Sequence, residues 1–206
     1  MLDMIQATLQ EKGFKIFTRP FELNIVGVRA NSIQPNSFDD HITVFFKGND
    51  GKWQFHQFPA TTDPGTYWLQ NPMNPQGTAI LKHGQYLNSH RIGLHRGKYL
   101  AVVQQRPITV IRDYERNASL DLMNGKEQTG LFGINIHHAA INGTTKSVDK
   151  YSAGCQVFAN INDFNVFMQL AQKHKQVYGN NFTYTLIDER ALERETKKKL
   201  FSTSPV

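Results

Sequence analysis

The chain has 206 residues, 23 Lys and Arg against 17 Asp and Glu, a net charge of +6 and one cysteine. One cysteine excludes an intramolecular disulfide framework and any Cys-rich zinc or iron–sulfur site, so stability must come from packing. No stretch approaches the roughly 18 apolar residues of a membrane-spanning helix. The basic excess favours anionic partners, the anionic bacterial wall among them, and it comes without a nucleic-acid-binding signature.

In chain order, Leu2, Ile5 and Leu9 fall at helical spacing and Gly13 stops the pattern, which predicts a short N-terminal helix over 2–12. No basic segment followed by an apolar core opens the chain, which predicts synthesis in the cytosol without a signal peptide. The texture then turns β. Leu23–Val28 and Ile42–Phe46 are rich in β-branched and aromatic residues. Asn49-Asp50-Gly51 reads as a hairpin turn into an alternating strand, Trp53–Phe58. Asp63-Pro64-Gly65 and the stretch 71–77 read as loops around Tyr67-Trp68-Leu69. Further strands are predicted at Tyr99–Val103, Ile108–Ile111 and Phe132–His137. Phe164, Phe167, Met168, Leu170 and Ala171 form the apolar stripe of a helix over 162–178, with Asn162 or Asp163 suited to its N-terminus. A last strand follows at Phe182–Ile187, then a tail over 189–206 that starts as helix and frays at Ser202–Pro205. Without repeats or a linker, the pattern predicts one mainly-β (α+β) domain over 1–206, its core at about 22–188.

The chemistry centres on Cys155, in Ser152-Ala153-Gly154-Cys155, and on His137, with fourteen residues between it and Ser152. A thiol becomes a strong nucleophile at neutral pH only when a base takes its proton, and imidazole is the usual base. Strand alternation puts Ile134 and Ile136 on one face and Asn135 and His137 on the other. His137 then points toward a cleft and His138 away from it. Gly154 permits close backbone approach at the nucleophile, and amides near Cys155 suit an oxyanion.

An apolar-x-apolar-His strand followed at this spacing by Ser-x-Gly-Cys resembles the catalytic domain of the L,D-transpeptidases (YkuD-type). Thr62-Asp63-Pro64-Gly65-Thr66-Tyr67 resembles that family's Thr-Pro-x-Gly-x-Phe/Tyr segment. The likeness spans roughly residues 40–160 and is greatest to divergent bacteriophage-encoded members. It implies a β-sandwich catalytic domain with an N-terminal helix and one long helix after the catalytic loop. It implies a Cys–His enzyme acting on peptidoglycan stem peptides through a thioacyl-enzyme, with no cofactor and no metal. Cys155, His137 and Gly154 would carry the reaction. His138, Ser152, Tyr67, Arg91 and Arg96 are the expected substrate-binding residues. Ala153 stands where the family usually has a histidine, and Gln156 follows the cysteine where Arg or Asn is common. The acyl acceptor, water or amine, therefore stays open, with hydrolysis favoured. A phage lysis or virion-associated protein, reaching the wall on release or within a virion, fits the missing leader.

Two other readings compete: a wall-binding or virion structural module without turnover, and a zinc peptidase using His90, His95 and a third ligand such as His83 or His137. No nucleic acid and no stable membrane insertion are expected. Trp68 and Tyr86 join Tyr67 as possible groove aromatics, Arg112-Asp113 reads as a structural ion pair, and Lys197-Lys198-Lys199 as a solvated face.

Overall fold

The computed structural model describes residues 1–202 apart from Ile33, with side chains described to Glu195. The predicted fraying at 202–205 falls largely outside the described residues, as do the side chains of Lys197–Lys199. Among the described residues the architecture is mixed α+β, mostly strands, with four helices and two sheets.

Helix α1 (Leu2–Glu11) buries Ile5, Thr8 and Leu9. It ends in a Schellman turn: Gly13, at φ +67, donates to the Gln10 carbonyl, and Phe14 donates to Leu9 at 2.8 Å. Strands β1 (Asn24–Arg29), β2 (Asp40–Lys47) and β3 (Trp53–Thr61) follow, the last two joined through Gly48–Lys52 as the turn signal predicts. Between the two predicted loops, residues 66–70 form a short helix, α2 (Thr66–Gln70). Then come β4 (Thr78–Leu81), β5 (Gly84–His95), β6 (Tyr99–Gln104), β7 (Ile108–Asp113) and β8 (Lys126–Gly130).

The predicted strand at 132–137 shrinks to β9 (Ile136–His138), and β10 (Gln156–Phe158) answers it. Helix α3 (Ile161–Tyr178) starts earlier than its stripe suggests. Its cap is Asn160, whose side-chain oxygen accepts from the Asn162 amide at 2.7 Å, rather than Asn162 or Asp163. Strand β11 (Phe182–Asp188) and helix α4 (Glu189–Ser202) complete the chain.

Eight strands hydrogen-bond in a closed ring, β1-β11-β5-β6-β9-β10-β3-β2, and β4-β7-β8 form a second sheet. Six of the eight, from β3 round to β6, share long registers; β2 and β3, for example, pair from Asp40↔Ala60 to Lys47↔Trp53. The closure is narrow. β9 meets β6 at the single pair Val102↔Ile136, and β10 meets β3 at Val157↔Thr61 and Phe158↔Ala60. A curled six-stranded sheet is thus closed by two three-residue strands.

Ile25, Val44, Ile136, Phe158, Phe182 and Leu186 belong to the main core, which α3 covers with Phe164, Phe167 and Ala171. A second cluster joins Ile5 and Leu9 of α1 to Val26, Val28, Phe45, Ile187 and Leu192. β1 is therefore buried along its whole length, and the first turns of α4 are packed structure rather than a loose tail. No helix among the described residues is long and apolar enough to cross a membrane.

Candidate active site

The two strands that close the ring carry the candidate pair. β9 and β10 run parallel with Gln156↔Ile136 and Val157↔His137 in register. Cys155, one residue before β10, therefore lies beside Asn135, one residue before β9. The Asn135 amide points to the Cys155 Sγ at 3.4 Å, the thiol donates to the Gly133 carbonyl at 3.4 Å, and the Gln156 amide donates to the Asn135 carbonyl at 2.8 Å. Ile134 and Ile136 face the core, so Asn135 and His137 turn to the cleft, as alternation predicts.

The loop before Cys155 has a reason for each residue type. Gly154 sits at φ +119, and a Cβ there would stand 2.1 Å from the Ala79 carbonyl oxygen. Ser152 is fully buried; its Oγ accepts from the Gly154 amide at 3.1 Å and donates to the Cys155 carbonyl at 2.8 Å. Its hydroxyl is thus committed to the backbone of its own loop. Gln156 is also buried: its Nε2 donates to the carbonyls of Thr62 and Gly154, and its Oε1 accepts from the Tyr184 hydroxyl at 2.7 Å. The Gly65 amide donates to the Ser152 carbonyl at 2.9 Å, so the Thr62–Gly65 segment clasps the cysteine loop directly. Behind it, Arg29 is buried between Asp63, at 2.8 Å, and the carbonyls of Thr62 and Leu81. Asp40 accepts from the Thr62 amide and hydroxyl.

His137 is 3% exposed. Its Nδ1 lies 2.8 Å from the His138 carbonyl oxygen, with the Tyr99 hydroxyl at 3.2 Å. A carbonyl only accepts, so Nδ1 carries the proton and Nε2 presents a lone pair. That Nε2 is buried and has no hydrogen-bond partner among the described residues. His95 stacks on the same ring with centroids 4.1 Å apart. Asn135 holds His95 in turn: its Oδ1 accepts from the Gln104 amide, so its Nδ2 donates to His95 Nδ1 at 3.0 Å. His95, Arg96, Asn135, His137, Tyr151 and Cys155 line one cleft of about 250 Å³.

Burial pulls His137 down to about 3, with His95 adding to the effect, and pulls His95 down to about 4. Burial pushes the Cys155 thiol up, against the Asn135 amide and the Arg96 charge, which favour thiolate. At neutral pH the pair is therefore thiol and neutral imidazole, not an ion pair.

The other expected site residues divide. Arg96 reaches the cleft from the β5–β6 turn, with φ +50, a conformation that costs an arginine about 1–2 kcal/mol. Arg91 lies exposed on β5, opposite Val103, and lines no part of the cleft. His138 packs against Tyr99 and Phe164 at 4.4 and 5.0 Å, on the far side from Cys155. Tyr67 is 39% exposed beneath the Lys150 ammonium and outside the cleft, while Trp68 lines the adjoining cavity. The Tyr86 hydroxyl is tied to the carbonyls of Lys82 and Thr109. Arg112 bonds Gln128 and the Gly77 carbonyl, not Asp113.

His90 and His95 are five apart on one strand and face opposite sides. His90 is fully buried, its ring nitrogens committed to the Ser89 hydroxyl and the Ile134 carbonyl. They cannot share an ion, and no group of three His, Cys, Asp or Glu among the described residues is placed to hold one.

Asn135, Tyr99 and the stacking role of His95 lay beyond sequence reasoning. Parity alone puts Asn135 on the His137 side, but the other two need the β5–β6–β9 pairing. No protein-family model, no curated protein and no solved structure matches the chain.

Proposed function

We propose that this protein is a cysteine-dependent enzyme acting on the stem peptides of bacterial peptidoglycan, an L,D-transpeptidase-like β-sandwich domain in which hydrolysis outweighs cross-linking. One observation carries the reading. His137 has Nδ1 anchored on a carbonyl and Nε2 unpartnered, in the cleft it shares with the only cysteine.

The chemistry follows. His137 Nε2 takes the thiol proton as Sγ attacks the carbonyl carbon of the scissile bond, and the carbonyl oxygen becomes the oxyanion. The Gly154 amide is already held by Ser152, so the amide of Cys155 itself is the donor left for that charge. Collapse of the intermediate expels the amine, which takes the proton from the imidazolium, and leaves a thioester on Sγ. Water or a second amine then attacks the thioester and restores the thiol. Ala153 is small and lines the cleft, which leaves water room beside the thioester. The protein would act at the wall, on release from the cell that makes it or as part of a virion.

A second reading, a wall-binding or virion module without turnover, draws on the imidazole held near 3 and the thiol pushed up, both of which weaken activation. Incubation with purified sacculi and mass spectrometry of the muropeptides separates the two. Shortened or separated stems, lost in Cys155→Ala, support the enzyme. New 3–3 cross-links would replace hydrolysis with transpeptidation. Thiol labelling with unchanged muropeptides would favour the binding module.

A further inference from the structure

Beside the cleft of Cys155 lies a second cavity, of about 290 Å³. The two share Met73, Phe132 and Ala153, so they form one continuous groove that passes over the methyl of Ala153. Trp68 forms one wall, Leu131 and Phe132 another, and the strand residues Thr78 and Ala79 the floor. Met73 and Leu131 are largely exposed on its rim, an apolar edge for a bound chain.

One charged group faces this cavity, Arg112. It is fixed rather than mobile. Its Nε donates to Gln128 at 2.8 Å, its Nη1 donates to the Gly77 carbonyl at 3.1 Å, and its guanidinium lies 5.0 Å from the Phe132 ring centre. All these partners are neutral. Among the described residues no carboxylate lies within ion-pair distance of Arg112. A largely buried guanidinium without a counter-charge is poised for an anion, and its planar fork suits a carboxylate.

The register places Arg112 next to the strand on which the cysteine loop rests. Arg112 pairs directly with Ala79, and the Ala79 carbonyl is the atom on which Gly154 rests. Arg112 is thus one strand spacing, about 4.8 Å, beyond the strand that supports the cysteine loop.

We propose that the cavity around Arg112 is a second subsite, which binds the carboxylate of a peptide whose scissile carbonyl lies at Cys155. It rests on the reading of Cys155 as a nucleophile toward peptides and adds the anionic group recognised. Apart from Asn74 and Thr78 the other side chains lining the cavity are apolar, so the segment between carboxylate and carbonyl carries small or apolar side chains.

The test uses full-length protein with Cys155→Ala, to prevent turnover, and calorimetric binding of two probe sets. One is a stem tetrapeptide and its forms amidated at one carboxyl at a time. The other is a set of all-L tetrapeptides with free or amidated C-termini. Amidation of one carboxyl should weaken binding about 10–100-fold with Arg112 present and have no effect with Arg112→Gln. Arg112→Lys, which keeps the charge but not the fork, should fall between them, and a matching melting temperature shows that it is folded. Equal responses to amidation with and without Arg112 overturn the subsite, as does failure of every carboxylate peptide of either set to bind. Binding of the all-L peptides alone would keep the subsite and overturn the peptidoglycan substrate.

Discussion

The rings of His95 and His137 stack with centroids 4.1 Å apart, and the Asn135 that holds His95 also points its backbone amide at the Cys155 sulfur. The proposed base, the proposed nucleophile and the second imidazole are thus linked through Asn135. His95 also covers His137 and helps pull it down to about 3. Removing that cover in His95→Ala should let water reach His137 and raise its proton affinity. The acid limb of the kcat/KM profile should then move to higher pH, because the base is protonated earlier. An unmoved limb in a folded variant would show that His95 only fills space.

The two adjacent histidines should separate cleanly. His137→Ala removes the cleft imidazole whose buried Nε2 has no hydrogen-bond partner among the described residues, and loss of a general base slows turnover about 10²–10⁴-fold. His138 instead packs on Tyr99 and Phe164. His138→Ala should change turnover on sacculi less than tenfold and lower stability by about 1–3 kcal/mol. The reverse ranking would move the base to His138.

The thiol is held neutral, and its chemistry should show it. Alkylation of Cys155 by iodoacetamide should climb with pH through a titration above the ordinary thiol range, without a reactive plateau between pH 5 and 7. Arg96→Ala removes a charge that favours thiolate and should shift the curve further up. A plateau at acidic pH would mean a thiolate–imidazolium pair, contrary to the raised thiol and the lowered imidazole.

How much of this was legible depended on which residues repeat with a clear period. Ile134-Asn135-Ile136-His137 alternates, so the side on which His137 falls could be read before any coordinates. The long strand β5 could not. Gln85, Asn88, Ser89, His90 and Arg91 give it no apolar alternation, because polar groups inside the ring, such as His90 with Ser89 and the Ile134 carbonyl, are satisfied by hydrogen bonds rather than by packing. β8, Lys-Glu-Gln-Thr-Gly, is an exposed edge strand with nothing apolar to betray it. The stack on His137 needs β5 to fold back on β6 and β6 to meet β9 at one residue pair, and no local pattern encodes that. The part Ser152 plays in the loop was hidden for the same reason: its two hydrogen bonds to the Gly154 amide and the Cys155 carbonyl follow from the loop's path, not from the local sequence.

Gly154 should tolerate no side chain. In Gly154→Ala the new methyl collides with the Ala79 carbonyl and the backbone is strained at φ +119, so the loop must move. Stability to urea should drop by about 1–3 kcal/mol and turnover should vanish, because Cys155 leaves its place beside Asn135. Full turnover in this variant would mean that the cysteine loop does not set the geometry of attack.

Acid should unfold the protein from just below neutrality. His90 and His83 are held near 4, His95 near 4 and His137 near 3, each pulled down chiefly by burial. Unfolded histidines titrate near 6.5, so between about pH 6.5 and 4 the unfolded chain binds protons that the folded one refuses. Stability from these groups is whole above pH 6.5 and is lost as pH falls, reaching its limit below the folded values. Asp40, raised to about 7 by burial and by Asp63, and Asp63, raised by its own burial, act in the opposite sense. They keep protons in the folded state that the unfolded chain has released, so their contribution shrinks as pH rises. With His41, His138 and His174 also pulled down and Asp113 also pushed up by burial, seven imidazoles oppose three carboxylates, and the net sign follows the imidazoles. The fully buried His90 and His137 alone contribute up to about 1.4 kcal/mol per pH unit each. Urea unfolding at pH 7, 6 and 5 should therefore show a steady fall in stability, and a steeper one in Asp40→Asn, which removes an opposing group. A stability that is flat or rising from pH 7 down to pH 5 would show that the buried carboxylates, not the imidazoles, govern the linkage.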